Sequence, residues 1–447
     1  MKLWDKGQST RSSVEQFTVG RDREFDARLA QYDVLGSIAH AIMLGECGLV
    51  TSSESEALVR ELRAIATEIS NGSFSIAETA EDVHSYVEEL LTKRCGDVGK
   101  KVHTARSRND QVLVDMKMYL RAELHSVCSE VSKLAETLLA LAEQYKDVPL
   151  PGYTHFQIAM PSSFGLWFSA YAESLADDVE SVAAAYHVVN KNPLGSAAGY
   201  GSSFPIRRAR TTELLGFASM NVSSVYAQMT RGKSERVSAS AIANIAATLS
   251  RMAYDVCLYS SQNFGFVSLP SDATTGSSLM PHKNNPDVFE LIRAKCNKLQ
   301  AVPNDITLVT NNLPSGYHRD VQILKEMIMP AFDELHTLLA MCTEMLPLLR
   351  VNTTILQDER YTLLHSVDAV HAKVRGGMSF RDAYREVAES IARGEFESTQ
   401  GVAHTHEGSI GNLQIELIRR QLTDACGRID FSIVQRAEQN LYENEAF

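Results

Sequence analysis

The sequence LVDMKMYLRAELHSVCSEVSKLAETLLAL, residues 113–141, decides the fold class of this chain of 447 residues. Its apolar residues recur at spacings of three and four, at Leu113, Met116, Leu120, Leu124, Val127, Val131, Leu134, Leu138 and Leu141. This spacing places them in one stripe along a single long helix, close to the 3.5-residue repeat of helix bundles. A helix of about thirty residues cannot bury such a stripe alone. The sequence therefore predicts long partner helices around it.

Four other segments have the composition expected of helices that pack beside this one. Each is bounded by Gly, Pro or Asn, and they span about 162–190, 234–262, 287–310 and 320–349. Residues 192–201 are too rich in glycine for a helix and are predicted to form a loop. Few segments alternate apolar and polar residues with a period of two, so strands should be scarce. The prediction is a mainly α protein built around a bundle of long helices.

The chain divides into three predicted regions where this pattern changes. Both flanks contain shorter helical patterns and more breaks than the centre. A length of 447 residues also suits roughly three domains of about 150 residues each. The predicted domains are an N-terminal helical domain at residues 1–105, a central long-helix bundle at 106–350 and a C-terminal helical domain at 351–447.

Composition limits the classes of function that this chain can serve. The formal net charge of -12 argues against a general nucleic-acid surface, so no nucleic-acid partner is expected. Seven cysteines are scattered without a CxxC pair, which indicates reduced thiols and not disulfides or a zinc site. The N-terminus lacks an apolar signal core, and no apolar run approaches the ~20 residues that cross a bilayer. We therefore expect a cytoplasmic protein with no membrane partner.

No metal or cofactor motif is convincing. His404-Thr405-His406-Glu407 offers a possible pair of metal ligands, but hydrogen bonding near the C-terminus is the safer account. No Rossmann glycine fingerprint or Walker loop follows a predicted strand. We therefore expect no metal and no cofactor, and chemistry that depends on side chains alone.

A basic cluster precedes the long helix, at residues 100–111, with the sequence KKVHTARSRNDQ. The planar fork of an arginine suits carboxylates, and the N-terminus of a helix favours anions through its free N–H groups and its dipole. These features predict a binding site for an anionic small molecule. A solvated surface turn and a nucleic-acid patch are the competing interpretations.

A second cluster, Gly152-Tyr153-Thr154-His155-Phe156-Gln157, lies between prolines. A lone histidine is more often structural than catalytic. His155 stands out because a hydroxyl lies beside it, in a turn that we expect to open a helix.

The third cluster is the segment 275–286, with the sequence TGSSLMPHKNNP. Gly276 permits unusual backbone angles, and Pro281 and Pro286 exclude a continuous helix. The segment is predicted to be a polar loop between helices, and loops on a rigid scaffold often carry catalysis. A solvated surface loop is the alternative. Further polar residues follow it at Glu290, Tyr317, His318, Arg319, Asp320, Gln322 and Lys325, although Tyr317 and Lys325 taken singly suit an interfacial aromatic and an exposed cation.

Residues 276–286 resemble the signature loop of the fumarase/aspartase superfamily. The loop alone leaves fumarase, aspartase and adenylosuccinate lyase open, but residues 106–111 and 152–157 resemble the argininosuccinate lyase family. This resemblance extends from about residue 26 to beyond Lys325 and is weaker in the last ~95 residues. It implies a three-domain, almost all-α fold whose long helices form a twenty-helix core of a homotetramer, with active sites shared among three subunits.

The implied reaction is reversible elimination of fumarate from argininosuccinate, which yields arginine as the last step of its biosynthesis. A proton leaves the carbon beside a carboxylate, and negative charge accumulates there as an aci-carboxylate. One fixed donor aimed at that charge contributes ~3–4 kcal/mol. The alternatives are another fumarate-releasing lyase, such as adenylosuccinate lyase, and a non-enzymatic relative of the crystallin type.

By this resemblance, Ser277 is the base, and Lys283 and Asn285 hold the developing charge. His155 is the second catalytic residue, and Glu290 orients it. A serine is a poor base unless its alkoxide is stabilised, which Lys283 and loop N–H groups must do. The implied binding residues are Ser107, Arg108, Asn109, Thr154, Tyr317, Gln322 and Lys325. Arg236 either belongs to the site or braces the bundle, and Asp82 and His84 are a supporting pair.

The sequence departs from the family pattern at a few positions. The usual Trp-Gly-Gly-Arg-Phe start is absent, and here Trp4 is followed by Asp5-Lys6-Gly7. Ala105 replaces a common glycine, and Asn284 replaces a common lysine. Many relatives have a serine where this chain has Asp22, which adds a negative charge. Asp22 is therefore a candidate partner for the ammonium group of the substrate.

Overall fold

The computed structural model describes residues 11–77, 80–398 and 404–443. Trp4 to Gly7, which depart from the family pattern, lie outside this range. The α-helices in the described residues are α1 (Ser12–Val19), α2 (Asp22–Glu46), α3 (Ser52–Ser70), α4 (Val83–Cys95), α5 (Asp97–Lys100), α6 (Arg108–Gln144), α7 (Phe164–Val189), α8 (Arg208–Leu214), α9 (Ser224–Met229), α10 (Lys233–Tyr259), α11 (Asp287–Leu299), α12 (Val302–Thr310), α13 (Leu324–Met345), α14 (Ser366–Arg375), α15 (Phe380–Ala392), α16 (Ile415–Cys426) and α17 (Ser432–Glu443).

Strands are short and pair only in twos. They are β1 (Pro149–Thr154), β2 (Gln157–Ser163), β3 (Lys191–Asn192), β4 (Ser219–Met220), β5 (Val267–Ser268), β6 (Thr275–Gly276), β7 (Asn284–Asn285) and β8 (Arg350–Val351). The pairs β1–β2, β5–β8 and β6–β7 are antiparallel, and β3–β4 is parallel. Six 3₁₀ turns complete the described elements, at Lys101–His103, Ser271–Ala273, Arg319–Ile323, Leu346–Leu348, Ile355–Gln357 and Glu359–His365. The structure is mainly α, as the sequence predicts.

The long helix α6 is the centre of the bundle and has 37 residues. A capping box begins it: the Ser107 hydroxyl accepts the N–H of Asn109 at 3.3 Å, and the Asp110 carboxylate accepts the N–H of Ser107 at 2.9 Å. All nine apolar residues of the predicted stripe are buried. They face α7, α2, α13 and α16, so the expected partner helices are present.

Two of the predicted partner helices differ from the observed ones because of prolines. The segment predicted at 287–310 is two helices, α11 and α12, since Pro303 opens the second one in its first turn. The segment predicted at 320–349 begins with a 3₁₀ turn, and α13 starts at Leu324. Pro330 lies inside α13, where its ring is tolerated.

The polar residues that the sequence singles out lie at two ends of the bundle. Helices α6, α10 and α13 all begin at the first, which we call the cavity end, where Arg108, Arg231 and Lys325 line one cavity. The other, the hairpin end, holds the β1–β2, β5–β8 and β6–β7 pairs. Helix α10 has 27 residues, so the two ends lie about 40 Å apart.

Side-chain contacts show that α11 runs antiparallel to α10. Ser250 donates to Asn297 at 2.7 Å, and the guanidinium of Arg293 lies 5.8 Å from the ring centre of Tyr254. The β6–β7 hairpin, which precedes α11, is therefore at the C-terminal end of α10. Tyr153 of β1 packs on Phe264 at 5.4 Å between ring centres, which places the β1–β2 hairpin at the same end.

A charged contact joins α6 to α13 on the flank of the bundle. The two ring nitrogens of His336 lie 2.7 Å from Glu123 and 2.8 Å from Glu130. Hydrogen bonding to Glu123 and Glu130 raises the pKa of His336 to about 9, although partial burial opposes the charged form. At neutral pH the imidazolium therefore holds the two helices together.

The main apolar core is continuous from Phe25 in α2 to Leu441 in α17. Helices α14 and α15 have a smaller core of their own around Val370 and Val387. Among the described residues, no helix is both long and apolar enough to cross a membrane.

Candidate active site

A cavity of about 250 Å³ opens at the cavity end of the bundle. Its walls come from α2, the start of α4, the first turn of α6 and the segment 317–325. Eight residues that the sequence proposes for the site line it, namely Asp22, Asp82, His84, Arg108, Asn109, Tyr317, Gln322 and Lys325. The two that are farthest apart in the sequence, Asp22 and Lys325, are separated by 303 positions, so only folding brings these residues together.

Lys325 is the buried cation of this cavity, with a side chain only 3% exposed. Its ammonium lies 2.7 Å from the Asp22 carboxylate and also contacts Asp26. Burial disfavours the charged ammonium, but Asp26 and Asp22 outweigh it and raise the pKa of Lys325. The lysine is therefore protonated, and its ammonium is shared between two carboxyl groups.

Asp22 is the more accessible of the two carboxylates, with its side chain 18% exposed against 2% for Asp26. Burial raises the pKa of Asp22, Lys325 opposes that change, and Asp26 adds to it. The residue that departs from the family pattern thus supplies the carboxylate that faces the open cavity.

Arg108 is held in the cavity wall by acidic residues that precede α4. Its guanidinium lies 3.0 Å from Asp82 and 3.4 Å from Glu81. Asp82 also caps α4, accepting the N–H of Ser85 at 2.7 Å. Although burial opposes ionisation, His84 and Arg108 lower the pKa of Asp82. Arg108 therefore has a fixed orientation before any ligand enters.

His84 lies beneath this wall in a buried cluster of charges. Its Nδ1 is 2.7 Å from Asp33 and 3.6 Å from Asp115. Burial disfavours the imidazolium, but Asp33 and Asp115 outweigh it and raise the pKa of His84 to about 10. Arg106, which donates to Ser37 at 2.9 Å, is the second cation of the cluster.

The ligand atoms of Asp33, His84 and Asp115 lie within 4.8 Å of one another, which is a spacing that can hold a metal ion. A protonated imidazole cannot ligate a metal, however, and burial together with the nearby Asp33 raises the pKa of Asp115 well above its usual range. The residues therefore fit an internal ion network better than a metal site.

Arg231 also lines the cavity, and the sequence analysis did not propose it. Its guanidinium lies 2.9 Å from Glu235 and donates to the carbonyl of Val321 at 2.8 Å. Arg236, which was proposed, is exposed and does not line the cavity. The signal that could have found Arg231 is its position just before Gly232, where the backbone turns into α10 at a φ of 81°.

The remaining proposed residues lie at the hairpin end. His155 and Phe156 form the two-residue turn between β1 and β2, with φ values of 53° and 58°. This is the conformation of a type I′ hairpin turn. The prediction that this turn opens a helix is wrong, because residues 157–163 pair back onto β1 and α7 starts only at Phe164. Thr154 and His155 are exposed at the tip.

The segment 275–286 is a hairpin whose loop carries Ser277 and Lys283. The Ser277 hydroxyl accepts the N–H groups of Leu279 at 3.3 Å and Met280 at 3.0 Å. Two donors on this oxygen stabilise negative charge on it. Lys283 is exposed in the loop, and Asn285 lies in β7.

Glu290 is exposed on the first turn of α11. In one chain, then, Ser277, His155, Lys283 and Glu290 share the hairpin end, while the cavity residues lie about 40 Å away, the length of α10.

Comparison with known proteins assigns the family. Residues 7–301 match a family described as lyases. An argininosuccinate lyase of Parabacteroides distasonis is 56% identical over 440 residues, covering 98% of this chain and 99% of that protein. One of Phocaeicola vulgatus is 56% identical over 443 residues with the same coverage.

The chain belongs to the argininosuccinate lyase family. This confirms the resemblance found in the sequence and makes the protein a carbon–nitrogen lyase of the fumarase/aspartase superfamily. The fold of this lyase agrees with the assignment: the solved structure of an EDDS lyase variant with bound fumarate matches it with a TM-score of 0.77 at 21% identity, covering 98% of this chain and 95% of the other.

Proposed function

We propose that this lyase cleaves argininosuccinate reversibly to arginine and fumarate, and so serves the last step of arginine biosynthesis in the cytoplasm. The observation that carries the proposal is the 56% identity to proteins named argininosuccinate lyase over 98% of the chain. The geometry of the two ends of the bundle supports the roles of individual residues.

Ser277 takes the proton from the carbon beside a carboxylate of the succinyl group. The electron pair of the broken C–H bond moves toward that carboxylate, and the C–N bond then breaks as the double bond of fumarate forms. The N–H groups of Leu279 and Met280 lie 3.3 and 3.0 Å from the Ser277 oxygen, where they favour its alkoxide. Lys283 and Asn285, on the same hairpin, stabilise the aci-carboxylate.

His155 and Glu290 supply the second half of the acid–base chemistry. The guanidinium nitrogen that leaves the succinyl carbon takes up a proton, and His155 is the proposed group that assists this step. Glu290 orients His155. Both side chains are exposed in the isolated chain, as residues that meet their partners on another subunit would be.

The cavity at the other end receives the amino-acid end of the substrate. Lys325 binds its carboxylate, and Asp22 accepts its ammonium. Arg108, held by Asp82, and Arg231, held by Glu235, are further cations that line the same cavity. Uncharged hydrogen-bonding groups of Asn109, Tyr317 and Gln322 line the remaining wall.

One substrate molecule cannot bridge two groups of residues about 40 Å apart. We propose that copies of the chain assemble as a homotetramer in which one copy's hairpin end meets another copy's cavity end. The long helices then form the twenty-helix core, and each active site takes residues from three subunits, with Thr154 and His155 on one hairpin and Ser277 on another.

The activity is tested by incubating the protein with argininosuccinate and, separately, with adenylosuccinate, while the absorbance of fumarate is followed. We expect release from argininosuccinate alone. Release only from adenylosuccinate would assign a different lyase, and no release from either would indicate a relative without this activity.

Site sharing is tested by mixing two inactive variants, Ser277→Ala and Lys325→Gln, under conditions that exchange subunits. In randomly reassembled tetramers, about one quarter of the sites combine an intact Ser277 from one copy with an intact Lys325 from another. The mixture should therefore recover up to about one quarter of the wild-type activity. Each variant subjected to the same treatment alone is the control. Subunit exchange without recovered activity would show that both residues act from the same chain.

A further inference from the structure

Two cysteines that are distant in the sequence meet between α6 and α16. The Sγ atoms of Cys128 and Cys426 are 3.2 Å apart, although 298 positions separate the residues. Both are free thiols. Cys128 is buried in the middle of α6, whereas Cys426 is only half-buried at the last position of α16. Cys426 is therefore the more exposed residue of the pair.

Contacts on either side of the pair hold the two helices in register. Arg419 of α16 lies 3.0 Å from Glu136 of α6, two helical turns away from the cysteines. On the other side, the ring of Phe431 stacks on His125 at 4.3 Å between ring centres. The sulfurs need to approach by only about 1 Å to reach bonding distance. A bond between the two sulfurs requires the side chains to rotate through this distance while these contacts keep the helices in place.

The thiol of Cys128 donates its hydrogen to the sulfur of Cys426. This hydrogen bond lowers the pKa of Cys426 to about 7, while partial burial opposes the charged form and the Ser132 hydroxyl supports it. The thiolate is the reactive form of cysteine. The more exposed cysteine is thus also the one that ionises more readily.

We propose that Cys128 and Cys426 are a site of reversible oxidation, at which a peroxide forms a disulfide that ties α16 to α6. The Cys426 thiolate attacks the peroxide and breaks its O–O bond, giving a sulfenic acid and one water. The Cys128 sulfur then attacks the sulfenic sulfur and a second water leaves. Two thiols and one hydrogen peroxide become one disulfide and two waters, and an external dithiol reverses the change.

The bond would anchor the C-terminal helices to the centre of the bundle. Helix α17 follows α16 directly, and its Glu438 lies 3.8 Å from the buried Arg121 of α6. A covalent link at Cys426 restricts the unfolded states of this segment. The oxidised protein should therefore resist heat and proteolysis of the segment 415–443 better than the reduced protein.

The test treats the full-length protein with hydrogen peroxide or with dithiothreitol, then blocks free thiols and maps peptides by mass spectrometry without reduction. We expect a Cys128–Cys426 crosslink, the loss of two thiols per chain and full reversal by dithiothreitol. The oxidised wild type should melt a few degrees higher, and the oxidised Cys426→Ser variant should show no such shift.

Two further variants keep the result unambiguous. Cys128→Ser should accumulate a sulfenic acid at Cys426 that dimedone labels. Cys296→Ser is the matched control, because Cys296 and Cys342 are also on different helices but both are fully buried, so its Cys128–Cys426 crosslink should be unchanged. An unmodified pair after excess peroxide, or a crosslink between Cys296 and Cys342 instead, would overturn the proposal.

Discussion

Replacing Asp22 by asparagine removes one negative charge from the cavity while keeping its shape. In the structure Asp22 lies 2.7 Å from Lys325, which also contacts Asp26 and so keeps a carboxylate partner in the variant. The variant loses its ion pair with Lys325, which Asp26 still holds, together with the proposed interaction with the ammonium of the substrate. A hydrogen bond between charged groups contributes about 1.5–3 kcal/mol, and 1.4 kcal/mol is about tenfold in affinity. We expect the KM for argininosuccinate to rise about 10- to 100-fold, with little change in kcat.

The assay compares two inhibitors of fumarate release, arginine and its analogue without the α-amino group. The wild type should bind arginine about 10- to 100-fold more tightly than the analogue, by the same conversion. In Asp22→Asn this preference should largely disappear, because the analogue never used the carboxylate. Glu24→Gln is the matched control, since Glu24 lies on the same helix but is 59% exposed and pairs with Arg21.

Two results would refute this reasoning. If Asp22→Asn kept the preference for arginine over the analogue, the ammonium would be bound elsewhere. If Asp22→Asn lost binding of both inhibitors equally, Asp22 would act only by positioning Lys325. Either outcome would change only the group assigned to the ammonium of the substrate. The proposed lyase reaction would still stand, so the specificity of the cavity is tested separately from the reaction.

Other predictions concern the base and the bundle. Ser277→Ala should lower kcat by several orders of magnitude while substrate still binds; near-normal turnover would reject Ser277 as the base. The pKa of His336 rises from 6.5 to about 9 on folding, so its ion pairs stabilise the protein fully below about pH 6.5 and are lost as the pH rises through about 9. His336→Gln should therefore lower the free energy of unfolding by about 1–2 kcal/mol at pH 6, after allowance for solvent screening, and by little at pH 10; an equal loss at both values in urea titrations would contradict the ionic role. Leu134→Ala should cost about 2–5 kcal/mol in the same titrations because Leu134 is fully buried, and the exposed neighbour Lys133→Ala should stay within about 0.5 kcal/mol.

The structural prediction of the long helix was confirmed because it depended only on residues that are close together in the sequence. The apolar stripe from Leu113 to Leu141 needed only the period of a helix, and α6 buries all of it. Ser107 and Asp110 are three positions apart and form the capping box of α6, a local signal that the sequence analysis did not use. Each of these signals is complete within a few turns of chain, so tertiary contacts did not have to be known.

Other features escaped the sequence because distant contacts decide them. The turn at His155 reads like a helix start, but pairing of β2 with β1 makes it a hairpin tip. Arg231 stands just before Gly232 and Arg236 lies inside α10, but the direction in which α10 begins is what places Arg231 in the cavity. The ion pairs of Lys325 join residues about 300 positions apart, which no local pattern can reveal.

By itself, the sequence determined the central helix α6, the polar clusters and the resemblance to the family, because a helix period and a motif depend on residues that are close together in the chain. Only the tertiary structure decided that the clusters occupy two ends of one bundle about 40 Å apart, and that Asp22 and Asp26 share one buried lysine. The physical reason is that antiparallel packing sets where each helix starts and ends in space. Charge pairing then follows from that arrangement and not from the order of residues.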